Sequence, residues 1–430
     1  MHDPRMTVRA RVRPDLLAVL GIAAVLRIVV LLAAAGSPQR YWSQDDRDYL
    51  GLAFHLHAGY VAGAGQWFDV GLRRTPVYPL VLRAVFDVFG RHYVAVVAVQ
   101  VLIATATVGL TFWLARLVLP ERYAVGAALL IAIDPASIVF ANQMLTETLF
   151  ALLITVGVGL IVIARRRGDA RLGVAAGLIL GLSALTRPVA EYLPLAVAPA
   201  IVLAPTAIRR SSVIVALAVV VGFAVPTGAW VARNDVKTGV PVLSTIDGHN
   251  MLQYRAVGAL VEEGEPRSLA QHDVLVRLAP HVHPGDNAAE ISRAELGVGL
   301  AILGEHPRGA FKDWARGEGR LLVGPAKSET ASLLTGRDAV HGFALRTLVL
   351  IDQLITLAIV LAAAAGFVGM ALGRIRIPSL WVLAATALYL IVVSGGHEAY
   401  SRFRVPVTPL LVVLGVAAFA ELRRARVRPA

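Results

Sequence analysis

The stretch LTETLFALLITVGVGLIVIARRR, residues 145–167, decides the fold class. No charge interrupts it between Glu147 and Arg165. A hydrocarbon core about 30 Å thick needs roughly 20 mainly apolar residues in a helix rising 1.5 Å per residue, so residues 145–164 read as a transmembrane span. Arg165, Arg166 and Arg167 mark its cytoplasmic end, because basic residues cluster on that side of a membrane.

Similar stretches lie at 16–35, 93–115, 122–140, 171–187, 190–206, 211–232, 345–372, 378–395 and 405–421. Together they predict an all-α polytopic membrane protein with about ten transmembrane helices. Arg187 and Pro188 interrupt the 171–206 region as a tight outer turn or a broken helix. Arg5, Arg9, Arg11 and Arg13 before the first apolar run resemble a signal peptide, but the run is long enough to span and is read as an uncleaved helix.

Composition agrees: 57% of the 430 residues are hydrophobic and 16% charged, with a mean hydropathy of +0.67. A net charge of +12 would suggest nucleic acid in a soluble protein. Here, with the N-terminus inside, Arg116 and Arg122, Arg165–Arg171, Arg209 and Arg210, Arg374 and Arg376, and Arg423–Arg428 all fall on the cytoplasmic side. Membrane orientation accounts for the excess, and no nucleic-acid partner is called for. Cysteine is absent, which excludes disulfides, thiolate metal sites and a cysteine nucleophile. Chemistry falls to carboxylates, His, Tyr, Arg and hydroxyls.

The opposite side receives a loop at 36–92, turns near 134–145, 187–190 and 395–404, and a segment at 233–344 that reads as small and mostly helical or irregular. The chain thus divides into an N-terminal membrane module at 1–232, an extracytoplasmic segment at 233–344 and C-terminal spans at 345–430.

The first outer loop opens YWSQDDRDY, residues 41–49. Asp46, Tyr49, Leu50, Ala53, Phe54 and His57 recur at helical spacing, as in an interfacial amphipathic helix whose start Asp45 would cap. Then come Arg73 and Arg74 in RRTPVYP, with Tyr78. Paired Arg at an interface either snorkels to headgroups or holds a phosphate through charge-assisted hydrogen bonds. Glu147 either answers its helix dipole or marks a functional cavity at the membrane edge. Arg402 and Arg404, in RFRVPVTP, place positive charge on the outer face against the topology rule, which an anionic ligand there explains.

Taken in order, SQDDRDY, RTPVYP, MLTETLF, STIDGHN (244–250) and RFRVPVTP resemble the motifs of polyprenyl-phosphate-sugar-dependent glycosyltransferases of the GT-C class, especially the family 39 branch of protein O-mannosyltransferases and lipid A aminoarabinose transferases. The resemblance implies a GT-C-like bundle with interfacial helices in the first outer loop, covering a cavity into which a lipid-linked sugar enters. It maps the catalytic aspartate onto Asp45, with Asp46 as competitor, and Glu147 onto a position held by Asp in some relatives. Arg73, Arg74, Tyr78, Arg402 and Arg404 become candidates for the donor phosphate; His249, Asn250 and His397 for sugar or acceptor hydroxyls. The expected reaction moves a sugar from a polyprenyl-phosphate donor to a hydroxyl of an envelope glycolipid, polysaccharide or protein, with inversion. The rival expectation is a transporter or flippase of a lipid-linked or anionic substrate. No cofactor is fixed. A divalent cation, Mg or Mn, bridging Asp45, Glu147 and phosphate stays open, since His249 and His397 have no ligand spacing. An Arg-heavy, Ala-rich composition suits a bacterial plasma membrane, with both termini cytoplasmic.

Overall fold

The computed structural model describes residues 14–43, 45–55, 71–205, 209–335 and 342–427. Arg5, Arg9, Arg11, Arg13, His57 and Arg428, which entered the sequence reading, lie outside them. The described residues form helices and connecting turns, without a strand among them. In chain order they are α1 (Pro14–Ala35), α2 (Asp46–Phe54), α3 (Val77–Phe89), α4 (Tyr93–Arg116), α5 (Glu121–Ile133), α6 (Pro135–Ala141), α7 (Glu147–Arg167), α8 (Ala170–Ala184), α9 (Leu193–Leu203) and α10 (Arg209–Thr238). The outer segment contributes α11 (Ile246–Asn250), α12 (Val257–Glu262), α13 (Arg267–Leu278), α14 (Ala288–Glu305), α15 (Pro307–Val323) and α16 (Lys327–Thr335). The chain returns through α17 (Phe343–Ala371), α18 (Leu380–Ser394), α19 (Ser401–Arg404) and α20 (Thr408–Val427).

Each predicted span carries a helix, and among the described residues length and apolarity alone qualify α1, α4, α7, α10 and α17 to cross a membrane. The 122–140 stretch is a pair, α5 and α6, bent by 56°. Helices α8, α9 and α18 are apolar but short. The protein is a multi-pass membrane protein; the count of ten is not fixed by these lengths.

Local chemistry explains the joints. Helix α7 ends where Gly168 takes φ +65, a left-handed conformation that a side chain resists. Asp169 then caps α8 by accepting from the Arg171 and Leu172 amides. Helices α8 and α10 pack closely because a β-carbon at Gly177 would lie 2.1 Å from the Val219 carbonyl oxygen, and one at Gly222 2.2 Å from that of Val174. The outer segment has its own small core, with Leu252, Leu260, Val274 and Ile302 inside it.

Two anchors bring the first loop to the mouth of the bundle. The Tyr41 hydroxyl donates to the Leu31 carbonyl (2.7 Å), and the Tyr41 carbonyl accepts from the Met144 amide (3.1 Å). Residues 42, 43 and 45–48 are thereby held beside the turn that starts α7. Helix α3 packs Tyr78, Leu82 and Phe86 inward while Leu80, Val88 and Phe89 are exposed. That is the geometry of an interfacial helix.

Candidate functional site: a chain of shared guanidiniums

Asp45 precedes the first residue of α2, yet its side chain does not cap the helix. Its two carboxylate oxygens instead accept from Arg74 (2.8 Å) and Arg402 (2.6 Å). Arg402 also donates to Glu147, and so does Arg187. At the other end Arg74 donates to Asp48 (2.9 Å). Arg187, Glu147, Arg402, Asp45, Arg74 and Asp48 form one alternating chain of three guanidiniums and three carboxylates.

Different parts of the sequence fix each member. Glu147 opens α7 and is fully buried, with its second oxygen unpartnered. An isolated carboxylate there is expensive, and the two guanidiniums are what make it tolerable. Arg187 begins the turn before Pro188 and donates also to the Thr146 hydroxyl (3.1 Å). The sequence reading noted Arg187 only as a break in a span; its charge beside a Pro turn on the outer side was the overlooked signal. Arg74 stacks over the Tyr49 ring at 5.1 Å.

The Arg73–Arg74 turn is clamped by the STIDGHN motif. Ser244 donates to the Arg73 carbonyl (2.6 Å), the Thr245 amide to that of Leu72 (3.1 Å), and Ser292 to that of Thr245 (2.9 Å). Gly248 is needed there, since a β-carbon would sit 2.1 Å from the Ser292 carbonyl oxygen.

Asp46 turns away from the chain. It is 2% exposed and one of its oxygens has no partner. Burial pushes its carboxyl above the ordinary value, against neighbouring backbone amides. For Asp45, burial acts the same way but loses to Arg402 and Arg74, which hold its carboxyl well below the usual range.

Other candidates sit elsewhere. The Tyr78 hydroxyl donates to Gln100 (2.6 Å), whose amide reaches the Ala141 and Gln143 carbonyls. The Arg73 Nε is buried without a partner. Arg404 donates to the carbonyls of Leu321 (2.9 Å) and Gly324 (3.1 Å), so the structure does not bring it into the chain with Arg402. His249 lies 3.9 Å from Glu295 and packs against Tyr254, with Asn250 beside it at the end of α11. His397 stands between Asp313 (3.3 Å) and Arg267.

A divalent cation does not fit this donor set. Asp45 and Glu147 already carry guanidiniums, and no cluster of three or more metal-binding side chains occurs among the described residues. No step below is routed through a metal.

Comparison with known proteins gives a consistent picture. Residues 73–230 match the family model of dolichyl-phosphate-mannose-protein mannosyltransferases. No curated protein matches the chain. Among solved structures it is similar to the archaeal oligosaccharyltransferase AglB from Archaeoglobus fulgidus in complex with an inhibitory peptide and a dolichol-phosphate. The TM-score is 0.56 at 15% identity, over 96% of this chain and 51% of that one. The apo form of the Archaeoglobus fulgidus oligosaccharyltransferase gives 0.54 at 16% identity, with the same coverage of 96% and 51%. ArnT from Cupriavidus metallidurans bound to undecaprenyl phosphate gives 0.46 at 14% identity, over 94% and 60%. The chain spans about half the length of the archaeal enzyme. Its fold is that of the GT-C glycosyltransferases, and residues 73–230 carry the match to the dolichyl-phosphate-mannose-protein mannosyltransferase family.

Proposed function

We propose that the chain transfers a sugar from a polyprenyl-phosphate donor to a hydroxyl of an envelope acceptor, on the extracytoplasmic face of a bacterial plasma membrane. The observation that carries this reading is Asp45 held between Arg74 and Arg402. A carboxylate so neutralised is a poor base. An entering phosphodiester competes for the same two guanidiniums, and as they turn toward phosphate Asp45 regains its proton affinity.

The acceptor oxygen then bonds to the anomeric carbon as the bond from that carbon to the phosphate oxygen breaks. Asp45 takes the acceptor proton, and the leaving phosphate keeps the electron pair. Arg74 and Arg402 stabilise its growing negative charge. Attack opposite the phosphate inverts the anomeric centre, for which one base is sufficient. Glu147 and Arg187 hold Arg402 in line. The likeness to an oligosaccharyltransferase in complex with dolichol-phosphate supports a lipid-phosphate donor. The basic ends of the spans, Arg165–Arg167 among them, support cytoplasmic termini and an outward-facing site.

The test is transfer of radiolabelled sugar from a panel of synthetic polyprenyl-phosphate sugars, by wild type and Asp45→Asn in nanodiscs with envelope extract as acceptor. Wild type is expected to transfer, or slowly hydrolyse, one donor. Asp45→Asn should lose at least about 10²-fold in rate, the range for removing a general base, while still binding donor. Undiminished turnover in Asp45→Asn removes it from the base role. Binding and bilayer crossing of donor without consumption by wild type replaces the transferase with a transporter.

A further inference from the structure

The turn that leads from α18 into α19, and so delivers Arg402, has little stiffness of its own. Residues 395–400 belong to no helix, and the turn opens with Gly395 and Gly396, the second at φ +117. Two adjacent glycines leave a chain many conformations, so contacts from outside have to fix its path.

Those contacts come from the outer segment. The Arg320 guanidinium, on α15, donates to three carbonyls of the turn: Gly396 (3.0 Å) and His397 (3.2 Å) from Nη2, and Ala399 (3.1 Å) from Nε. The Trp314 indole, also on α15, donates to the Val392 carbonyl (3.0 Å), and Arg255 to that of Val393 (2.6 Å), both in the last turn of α18. Helix α15 and the turn lie so close that a β-carbon at Gly317 would sit 2.2 Å from the Gly396 carbonyl oxygen. From Tyr400 onward the chain packs instead on α6, with the Tyr400 ring 6.4 Å from that of Phe140. Arg402 therefore follows directly on backbone that Arg320 shapes, and its side chain reaches Asp45 and Glu147 on the far side. Charge-assisted bonds from one planar fork to carbonyls up to three residues apart set a backbone curve that a single point donor would not.

We infer that Arg320 is a positioning residue for Arg402: by gathering the Gly396, His397 and Ala399 carbonyls it sets where the Arg402 guanidinium meets the donor phosphate. The inference rests on the glycosyl-transfer reading and gives the outer segment a part in that site. Arg320 is exposed to solvent, so replacing it opens no cavity.

The experiment is a double-mutant cycle on the full chain in nanodiscs, read as the Kd of radiolabelled decaprenyl phosphate, with Tm followed in parallel. Arg320→Gln should weaken binding about tenfold, the equivalent of one charge-assisted hydrogen bond. Arg402→Gln should weaken it at least as much. Adding Arg320→Gln to Arg402→Gln should then change Kd by less than about twofold, because a residue that acts only through another has nothing left to act on. Arg320→Lys keeps the charge without the fork and should retain most of the loss; it takes the place of Arg320→Gln in the cycle if that variant does not fold. Wild-type Kd in Arg320→Gln, even with a lowered Tm, overturns the positioning role. So does a full tenfold loss on top of Arg402→Gln, and so does complete recovery in Arg320→Lys, which would leave only charge at work. If wild type consumes a sugar donor and the cycle is additive, the positioning role falls and the transferase stands. If the cycle comes out as expected and no donor is consumed, the transferase falls and Arg320 still positions an anion-binding Arg402.

Discussion

Asp45 and Glu147 share Arg402, so the position of that guanidinium depends on two carboxylates at once. Arg187 touches Glu147 and not Asp45, so under the proposed function it is a positioning residue. On that reading its removal would draw Arg402 toward Glu147 and away from the proposed phosphate position. Arg187→Ala is expected to lower kcat about 10- to 100-fold with a smaller change in donor KM, as for misplacement of a catalytic group; steady-state kinetics in nanodiscs would check it, and an unchanged kcat would place Arg187 outside the mechanism. Sequence reading brought Asp45, Arg74, Glu147 and Arg402 together as candidates because each stands in a motif on the predicted outer side. It could not separate neighbours. Arg402 and Arg404 are two residues apart on α19, about 200° around a helix, so one faces the chain and the other does not. Asp45 and Asp46 diverge likewise: the first accepts from Arg74 and Arg402 and the second does not.

At the scale of elements, Arg404 belongs with Arg27, a residue the sequence reading left inside the first span. Each ends a helix. Arg27 is 1% exposed in α1 and donates to the Ala132 (3.0 Å) and Ile131 (3.2 Å) carbonyls at the break between α5 and α6. Arg404, equally buried, does the same for the end of α15. The last carbonyls of a helix have no partner within it, and in an apolar surrounding each would cost about 1–3 kcal/mol unpaired. Arg27→Met and Arg404→Met should therefore each destabilise the fold by several kcal/mol, seen as a lowered Tm in detergent, while folded Arg404→Met keeps wild-type donor affinity. A weakened donor Kd with unchanged Tm would instead make Arg404 a phosphate ligand. Helix positions were readable from hydrophobic runs; the 56° bend was not, because it needs a guanidinium contributed from more than a hundred residues away to be affordable.

Across the whole molecule, the outer segment carries acids that the fold does not favour as anions. Burial pushes Glu318 up to about 7, with Arg255 acting against it. Burial pushes Asp247 up to about 6, again with Arg255 acting against it. A carboxyl raised on folding binds more protons folded than unfolded, so its contribution is fully present below about pH 4 and is lost as pH rises toward 7. Tm should fall between pH 5 and pH 8, and Glu318→Gln should reduce that fall, raising Tm at pH 8 and changing little at pH 5. A pH-independent Tm in wild type would contradict this. The reading of 233–344 as a small helical segment came from its Pro, Gly and charges; its buried acids were invisible because they depend on which helices pack together.

The paired guanidiniums around Asp45 bear on the end of the cycle as well as its beginning. Under the proposed function a sugar phosphodiester would bring one negative charge to Arg74 and Arg402, whereas the spent polyprenyl monophosphate would carry close to two. The same pair that receives the substrate on this reading would therefore grip the exhausted carrier more tightly. Turnover would then be paced by the departure of carrier lipid into the bilayer, and free polyprenyl phosphate would be a strong product inhibitor that couples the enzyme's speed to carrier recycling in the membrane.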